Sequence, residues 1–364
     1  MTSKFANSVP RLLHFIPQFR KMRMGVLGDL MLDRYLWGTA NRLSPEAAVP
    51  VVDFVAQTDC LGGAGNVAAN LQGLGARVEM FGVIGGKKSG SKTQDDDAGH
   101  VLRACLRASG IEQHGLFADP RRTTTVKTRV IARHQQIVRI DQERRDPLSP
   151  ETEEKLFRAL LASLKKLDAL ILSDYDKGLI NDGFVDRVLN ACHQNKIPVF
   201  VKPKTSRLYA YRGARAIVCN GREAANYVMR SLKDEKSMVE AGQALLAHFG
   251  CAAAIITRGE QGMNIFEEGS SGHLHIPATS FEISYDRVGR PGLSREAAGR
   301  QVFDVTGAGD TVLSVLSLAA AAGATIPDAA VLANTAAGVV VGKLGTAGLS
   351  REELEAALNE IYPR

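Results

Sequence analysis

Apolar runs of strand length alternate with segments of helical period over most of the chain. Four such runs follow residue 150, namely DALILSD (168–174), IPVFVK (197–202), ARAIVCN (214–220) and AAAIITR (252–258). An earlier unit pairs the run MGVLGD (24–29) with the helical pattern AGNVAANLQGLG (64–75). Continuous apolar strands joined by helices are typical of a mostly parallel sheet with helices on both faces. The pattern therefore predicts an α/β fold.

Two segments depart from this rhythm because they alternate apolar with polar or basic residues. VPVVDFVA (49–56) and TTTVKTRVIARHQQIVRIDQ (123–142) have the two-residue period of solvated antiparallel strands. We expect a small separate sheet, formed by about 33–57 and 119–142, that stands off a single main domain as a lid. Two further segments, 87–94 and 284–300, are rich in Gly, Ser and charged residues and are predicted to be loop insertions.

Composition narrows the function classes. The net charge is +6, but the basic residues are spread along the chain, which favours anionic small substrates over nucleic acid. Five widely spaced cysteines without a C-x-x-C pair argue against a disulfide framework and fit a reducing cytoplasm. The N-terminal stretch lacks a continuous apolar segment, and the Ala-rich C-terminal helices are interrupted by Gly, Asn and Thr. We therefore expect a cytoplasmic protein that binds neither nucleic acid nor membrane.

The nonapeptide FDVTGAGDT (303–311) places Gly307, Ala308 and Gly309 directly before Asp310 and an Ala/Leu-rich helix. Small residues that enter a helix leave backbone N–H groups unpaired at the positive end of the helix dipole. Such a turn can hold a phosphate close to the backbone. An acid beside an anion is unfavourable unless it moves a proton, which points to a general base. The alternative is that Asp310 only caps its helix.

The segment DVTGAGDT resembles the C-terminal signature of the ribokinase-like sugar kinases, the PfkB carbohydrate kinase family, and LGGAGNVAANLQGLGA (61–76) resembles the N-terminal signature. The resemblance extends from about Met24 to the end of the chain. It implies a ribokinase-like three-layer αβα sandwich with a mostly parallel central sheet and a small β-sheet lid. It also implies that Asp310 is the catalytic base and that the amides of Gly307, Ala308 and Gly309 form the anion hole.

Four further segments resemble one branch of this family, which phosphorylates D-glycero-D-manno-heptose 7-phosphate at C1 for ADP-heptose and lipopolysaccharide core synthesis. They are GDLMLDRYLWGTANRLSPEAAVPVV (28–52), VKTRVIARHQQIVRIDQE (126–143), SDYDKGLI (173–180) and NGREA (220–224). Some members carry a second, cytidylyltransferase-like domain with an H-x-G-H motif. No such motif occurs before Arg364, so the single-function kinase is expected. A kinase for another sugar phosphate and a non-catalytic sugar-phosphate sensor are the alternatives.

The resemblance implies that ATP and Mg²⁺ are bound by a further set of residues. The expected nucleotide contacts are Thr257, Arg258, Gly259 and Gly262 of TRGEQG, together with Asn220, Glu223 and Asn334. Glu223 is expected to order Mg²⁺ through water, in an N-x-x-E motif that could otherwise be a helix start with a capping residue and an acid in its first turn. Whether a monovalent cation is also required is left open.

The sugar phosphate is expected to bind at the end of the first strand and under the lid. Expected sugar contacts are Asp29, Asp33, Gly62, Gly63 and Asn66, and expected cations for the 7-phosphate are Lys127, Arg129, Arg133 and Lys177. Positions 127, 129 and 133 differ by even numbers, so a regular strand directs all three to one face. The alternative is a charged edge strand that deters aggregation. Apolar residues on the other face of the lid predict a homodimer formed through it.

One short segment departs from the pattern of that branch. Lys202-Pro203-Lys204-Thr205 stands where D-P-K-G is usual, so an acid is replaced by Lys202. The change either removes a metal-ordering group or adds a contact to phosphate.

Overall fold

The computed structural model of the chain is described for most of its length. It covers residues 9–90, 92–132, 135–204, 211–270, 272–279, 282–285, 291–294, 307–343 and 348–361. The strands are β1 (Arg23–Gly28), β2 (Leu30–Leu43), β3 (Pro50–Gly63), β4 (Arg77–Ser89), β5 (Lys92–Asp95), β6 (Glu112–Asp119), β7 (Thr125–Ala132), β8 (Gln135–Gln142), β9 (Ala169–Ser173), β10 (Val199–Lys202), β11 (Ala216–Asn220), β12 (Ala253–Thr257), β13 (Met263–Glu267), β14 (Leu274–Ile276), β15 (Glu282–Tyr285) and β16 (Pro291–Ser294). The α-helices are α1 (Val9–Phe15), α2 (Ala64–Gly73), α3 (Asp97–Ala108), α4 (Pro150–Leu164), α5 (Asp182–Gln194), α6 (Gly221–Tyr227), α7 (Glu235–Phe249), α8 (Ala308–Ala321), α9 (Ile326–Val340) and α10 (Arg351–Ile361).

The central sheet is mostly parallel. Its strand order is β14-β13-β12-β11-β10-β9-β1-β4-β5, with β6 also paired to β4. The run from β12 to β4 and the β4–β6 pair are parallel, while β13, β14 and β5 are antiparallel additions at the edges. The carboxyl ends of the parallel strands therefore meet at one edge, which is where open α/β sheets bind ligands.

Helices cover both faces of this sheet, as the sequence predicts. Helices α1, α2, α3, α8, α9 and α10 pack on one face, and α4, α5, α6 and α7 pack on the other. Strand β9 shows the division, because Ala169 and Ile171 face the first group while Leu170 and Leu172 face the second. All four side chains are buried, which explains the unbroken apolar run in the sequence. The prediction of a three-layer α/β fold is confirmed.

The lid is a separate four-stranded sheet with the order β3-β2-β7-β8. Strands β2 and β7 are parallel, and the other two pairs are antiparallel. The lid strands extend further towards the main body than the predicted segment 33–57, because β2 starts at Leu30 and β3 ends at Gly63. The first residues of β2 are buried and its far end is exposed, because its root packs on the main body.

Two sequence expectations are refined by the structure. The predicted loop 87–94 belongs to an antiparallel hairpin, in which β4 and β5 pair from Gly86–Asp95 to Ser89–Lys92. Within 284–300, β15 and β16 form a two-stranded ladder, and the rest of that segment lies outside the described residues. All five cysteines are free thiols. No helix in the described ranges combines the length and apolar character needed to cross a membrane.

Candidate active site

The candidate site lies at the carboxyl edge of the central sheet, beside the first turn of α8. Gly307 precedes this helix with a left-handed φ of 87°, a conformation that glycine adopts without steric cost. The first backbone N–H groups of α8 have no partner one turn earlier in the helix, so the dipole and the amides both favour an anion here. Asp310 is in this first turn and is buried. The predicted anion turn and the predicted base therefore lie together.

The Asp310 carboxylate receives hydrogen bonds from three side chains of three different segments. Asn66 Nδ2 on α2 donates to Oδ2 at 3.1 Å. Lys202 Nζ at the end of β10 donates to Oδ1 at 2.7 Å, and the Tyr175 hydroxyl donates to the same oxygen. Lys202 Nζ also donates to the Tyr175 hydroxyl at 3.2 Å. The carboxylate is thus oriented, and its charge is balanced by one ammonium group.

Both partners on Oδ1 keep their protons. Burial and the neighbouring Asp310 charge raise the pKa of Tyr175 well above its usual value. Burial lowers the pKa of Lys202, but the Asp310 carboxylate and Tyr175 outweigh this effect and raise it overall. The ammonium therefore remains charged at neutral pH.

A second row of polar residues holds α2 against α8. Asn70 Nδ2 donates to the backbone oxygen of Asn66 at 2.9 Å, and Thr311 Oγ1 donates to Asn70 Oδ1 at 3.3 Å. Asn66, expected to contact the sugar, therefore has its side-chain amide directed at Asp310 instead. This geometry favours a positioning role for Asn66.

Asp29 anchors the loop that follows β9. Its Oδ2 accepts the backbone N–H groups of Tyr175 at 2.9 Å and Lys177 at 3.2 Å, and its Oδ1 accepts that of Leu179 at 3.4 Å. The carboxylate is almost fully buried, and burial together with the Asp174 charge raises its pKa to about 6 despite these three donors. The geometry favours a structural role for Asp29, which places Tyr175, over direct contact with a sugar.

Asp33 lies in the buried root of the lid, within range of the Asp310 charge. Arg129 Nη1 on β7 donates to Asp33 Oδ1 at 2.6 Å, and both residues are buried. Burial raises the pKa of Asp33, Arg129 opposes this effect, and the charge of Asp310 adds to it. The two carboxylates are therefore close enough to interact. A Cβ on Gly62 would lie 2.4 Å from Asp33 Oδ2, so only glycine leaves room for this carboxylate.

Two of the remaining predicted cations, Lys127 and Lys177, lie near one another but already have acidic partners. Lys177 Nζ lies 2.7 Å from Glu143 Oε2, and Lys127 Nζ lies 3.8 Å from the same oxygen. Lys127 also contacts Asp141 at 3.1 Å. Arg133 lies outside the described residues. The structure thus brings Lys127 and Lys177 together through Glu143, a residue that the sequence analysis did not single out.

The N-x-x-E motif forms a capping box at the start of α6. Asn220 Oδ1 accepts the Glu223 N–H at 2.8 Å, and Glu223 Oε2 accepts the Asn220 N–H at 2.9 Å. The other carboxylate oxygen, Oε1, lies 3.6 Å from Lys204 Nζ. This oxygen is outside the capping box and can accept a hydrogen bond from water bound to Mg²⁺. The donor set fits a water-mediated contact to the metal and also the capping alternative.

The other predicted nucleotide residues belong to the turn after β12 and to helix α9. Thr257 ends β12, and the turn that follows returns at Gly262, where a Cβ would lie 2.0 Å from the Ile276 backbone oxygen. The Arg258 N–H donates to the Gly262 carbonyl at 2.7 Å, and Gly259 has a left-handed φ of 57°. Asn334 on α9 donates through Nδ2 to the Pro277 carbonyl at 2.9 Å. These contacts explain the local conformation, and nucleotide binding by these residues remains a prediction.

An acidic group at the amino edge of the sheet is separate from this site. Glu79, Glu112 and His114 bring their ligand atoms within 4.8 Å of one another. Arg23 lies 2.5 Å from Glu112 and 3.7 Å from Glu79, so a guanidinium already offsets part of their charge. We interpret this group as a structural ion-pair cluster.

Comparison with known sequences finds one matching family model and relatives over most of the chain. A model for the pfkB family carbohydrate kinase matches residues 24–289 and 292–353. The bifunctional protein HldE of Geobacter metallireducens is 43% identical over 329 residues, which are 90% of this chain and 61% of that protein. HldE of Geotalea uraniireducens is 42% identical over 345 residues, which are 94% of this chain and 64% of that protein. The chain thus spans less than two thirds of the length of these curated relatives.

Solved structures confirm the ribokinase-like fold. Arabidopsis thaliana ribokinase complexed with ribose and ATP superposes with a TM-score of 0.67 at 16% identity, covering 93% of this chain and 98% of that chain. Escherichia coli phosphofructokinase-2 in complex with substrates and products superposes with a TM-score of 0.70 at 16% identity, covering 93% of this chain and 99% of that chain. At this identity the likeness establishes the fold alone.

Asp29 should make the stability of the protein depend on pH. Its folded-state pKa of about 6 exceeds the ordinary value of 3.8, so the folded state holds this proton more tightly than the unfolded state. The contribution of Asp29 to the free energy of unfolding therefore falls as pH rises from about 4 to about 6 and is constant above that range. The loss should be about 3 kcal/mol, at about 1.4 kcal/mol per pKa unit.

Urea unfolding of the wild type and Asp29→Asn at several pH values across this range checks the expectation. Since asparagine does not titrate, the difference in unfolding free energy between the two proteins should change by that amount. A difference that stays constant with pH would show that Asp29 is not the titrating group.

Proposed function

Since the chain belongs to the pfkB family of carbohydrate kinases, and is therefore a sugar kinase that uses ATP, we propose that it phosphorylates D-glycero-D-manno-heptose 7-phosphate at C1. The product would be the 1,7-bisphosphate, an intermediate of ADP-heptose and lipopolysaccharide core synthesis. The observation that carries the proposal is the buried Asp310 carboxylate in the first turn of α8, next to backbone N–H groups that can hold a phosphate. Similarity to two HldE proteins over most of this chain supports the choice of substrate.

The proposed step needs one proton acceptor and an anion site. Asp310 takes the proton of the C1 hydroxyl while the hydroxyl oxygen forms its bond to the γ-phosphorus of ATP. The bond from that phosphorus to the bridging oxygen breaks, and its electron pair leaves on ADP. The amides of Gly307, Ala308 and Gly309 stabilise charge on the transferred group because they point at it without rearrangement.

Mg²⁺ would neutralise charge on the nucleotide phosphates when bound, held by those phosphates and, through water, by Glu223. Glu223 itself orients its free oxygen by means of the capping box with Asn220. Lys204 lies 3.6 Å from that oxygen and balances its charge.

The lid supplies the proposed site for the 7-phosphate. Arg129, Lys127 and Lys177 are all mostly buried, and each lies within 3.1 Å of a carboxylate oxygen. A phosphate dianion offers such cations more charge than a carboxylate does, so it can replace or join these partners.

We further propose that two chains associate through their lids. Among the described residues, most exposed large apolar side chains are on the lid: Leu43, Val49, Phe54, Val55, Ile137, Val138 and Ile140. Phe54 is 65% exposed and Val55 is 68% exposed on the long strand β3. Clusters of exposed apolar residues of this kind mark interaction surfaces, and a second copy of the chain is the partner that we propose.

Asp310→Asn should lower the turnover number for heptose 7-phosphate by at least roughly a hundredfold, the usual scale of a general base. Asparagine keeps the shape and the hydrogen bond from Asn66 but cannot accept the proton. ADP release measures turnover, and calorimetry should show that nucleotide still binds. Asp328→Asn, which changes a buried acid paired with Arg11, is the control and should retain turnover. Normal turnover of Asp310→Asn would refute the assignment.

Arg129→Gln should raise the KM for heptose 7-phosphate by roughly tenfold or more, the range of a charge-assisted hydrogen bond, with little effect on the KM for ATP. Initial rates with each substrate varied in turn measure both constants. Arg34→Gln is the control, because Arg34 pairs with Asp59 and lies one residue beyond Asp33, so it faces the other side of the strand. Equal changes in both KM values would argue against the proposed site for the 7-phosphate.

Phe54→Asp should convert the dimer to a monomer, because a carboxylate cannot be buried in an apolar contact without a partner. Light scattering after size exclusion should give twice the chain mass of 39.1 kDa for the wild type and about one chain mass for the variant. Met229→Asp changes an 86% exposed side chain outside the lid and should stay dimeric. A wild type that is monomeric at all concentrations, or a Phe54→Asp dimer, would contradict the proposal.

A further inference from the structure

Lys202 lies between the proposed base and the proposed anion site. It is the last residue of β10 and pairs in register with Ser173 at the end of β9. Both strands end at the carboxyl edge of the sheet, where the first turn of α8 begins. Its side chain is 16% exposed, so it is largely shielded from bulk water.

The position of the ammonium group is fixed by three contacts. Nζ lies 2.7 Å from Asp310 Oδ1 and 3.2 Å from the Tyr175 hydroxyl, and it lies 5.0 Å from the centre of the Tyr175 ring. On the other side, a Cβ built on Gly309 would lie 3.3 Å from Nζ. The ammonium is therefore adjacent to the backbone of the anion turn as well as to the base.

The charge of Lys202 can offset the repulsion between the proposed base and a bound phosphate. An anionic carboxylate and an anionic phosphate repel each other strongly in a site shielded from water. A cation that contacts the carboxylate and faces the anion turn reduces that repulsion. An ammonium group has three N–H donors. Two of them have acceptors among the described residues, Asp310 and Tyr175, and within that part of the chain the third donor has no acceptor.

We propose that Lys202 is a catalytic residue, whose ammonium group donates a hydrogen bond to a non-bridging oxygen of the γ-phosphate of ATP while it remains beside Asp310. The inference rests on the proposed function, which assigns Asp310 as the base and the turn at Gly307 as the anion site. Lys202 keeps its proton throughout. The proton of the sugar hydroxyl passes to Asp310 while the hydroxyl oxygen forms its bond to the γ-phosphorus. The bond from that phosphorus to the bridging oxygen breaks, and its electron pair leaves on ADP.

A contact to the γ-phosphate has a consequence that does not depend on the sugar. Lys202→Met should lower the affinity for the non-hydrolysable analogue AMP-PNP by at least about tenfold, since one charge-assisted hydrogen bond is lost. The affinity for ADP, which lacks that phosphate, should change by less than about threefold. Calorimetry with each nucleotide in the presence of Mg²⁺ measures both values. The turnover number should fall by at least roughly a hundredfold, as for other oxyanion donors.

Two further variants separate direct contact from an effect through Asp310. In the Asp310→Asn background, Lys202→Met should still weaken AMP-PNP relative to ADP, because the contact to phosphate does not need the carboxylate charge. Lys202→Arg retains the cation and should keep the AMP-PNP to ADP affinity ratio within a few fold of the wild type. Arg103→Met, which removes a partly buried cation paired with Asp95 away from the site, should leave both affinities and turnover unchanged.

The outcomes of these measurements separate the role of Lys202 from the choice of substrate. Equal losses of AMP-PNP and ADP affinity in Lys202→Met, or no loss of either, would overturn it. Loss of the effect in the Asp310→Asn background would also overturn it, since Lys202 would then act only by positioning the base. A wild type that discriminates the nucleotides as expected but does not phosphorylate heptose 7-phosphate would refute the proposed substrate and leave the role of Lys202 intact.

Discussion

A buried carboxylate needs donors or a cation, because an uncompensated charge in the interior costs several kcal/mol. Asp310 meets this requirement with an amide, a hydroxyl and an ammonium group that come from three separate elements. The parallel sheet makes this convergence possible, since β9 and β10 end side by side and α8 begins above them. The fold and the charge of one residue are therefore coupled, and the arrangement that stabilises Asp310 also positions it for chemistry.

Much of the fold could be predicted from the sequence because its signals are local. The apolar run 169–173 predicts a strand buried on both faces, and the alternation in 123–142 predicts two lid strands, β7 and β8. Only β8 is solvated as expected, because β7 lies between β2 and β8 and is partly buried. The hairpin at 87–94 could not be predicted in this way. Its residues are polar, with three lysines and one glycine, and β5 pairs with the end of β4 as an extension of the main sheet.

The candidate site was only partly predictable, because its contacts join residues far apart in sequence. Asp310 follows from the small-residue turn before its helix, which is a local signal. Tyr175 had no such signal, and its role depends on the pairing of β9 with β10 and on Asp29 beneath its loop. Lys202 was noticed as a departure from a pattern, but its contact with Asp310 required the structure. The contact of Asn66 with Asp310 likewise has no local signal, since nothing in the sequence relates α2 to α8.

The length and anchorage of β2 have a mechanical consequence. Asp33 in its buried root is paired with Arg129 of the neighbouring lid strand β7, while its exposed tip lies at the far end of a 14-residue strand. At about 3.3 Å per residue such a strand is roughly 40 Å long. A rotation of such a strand by about 5° at its root would displace its exposed tip by roughly 3 to 4 Å.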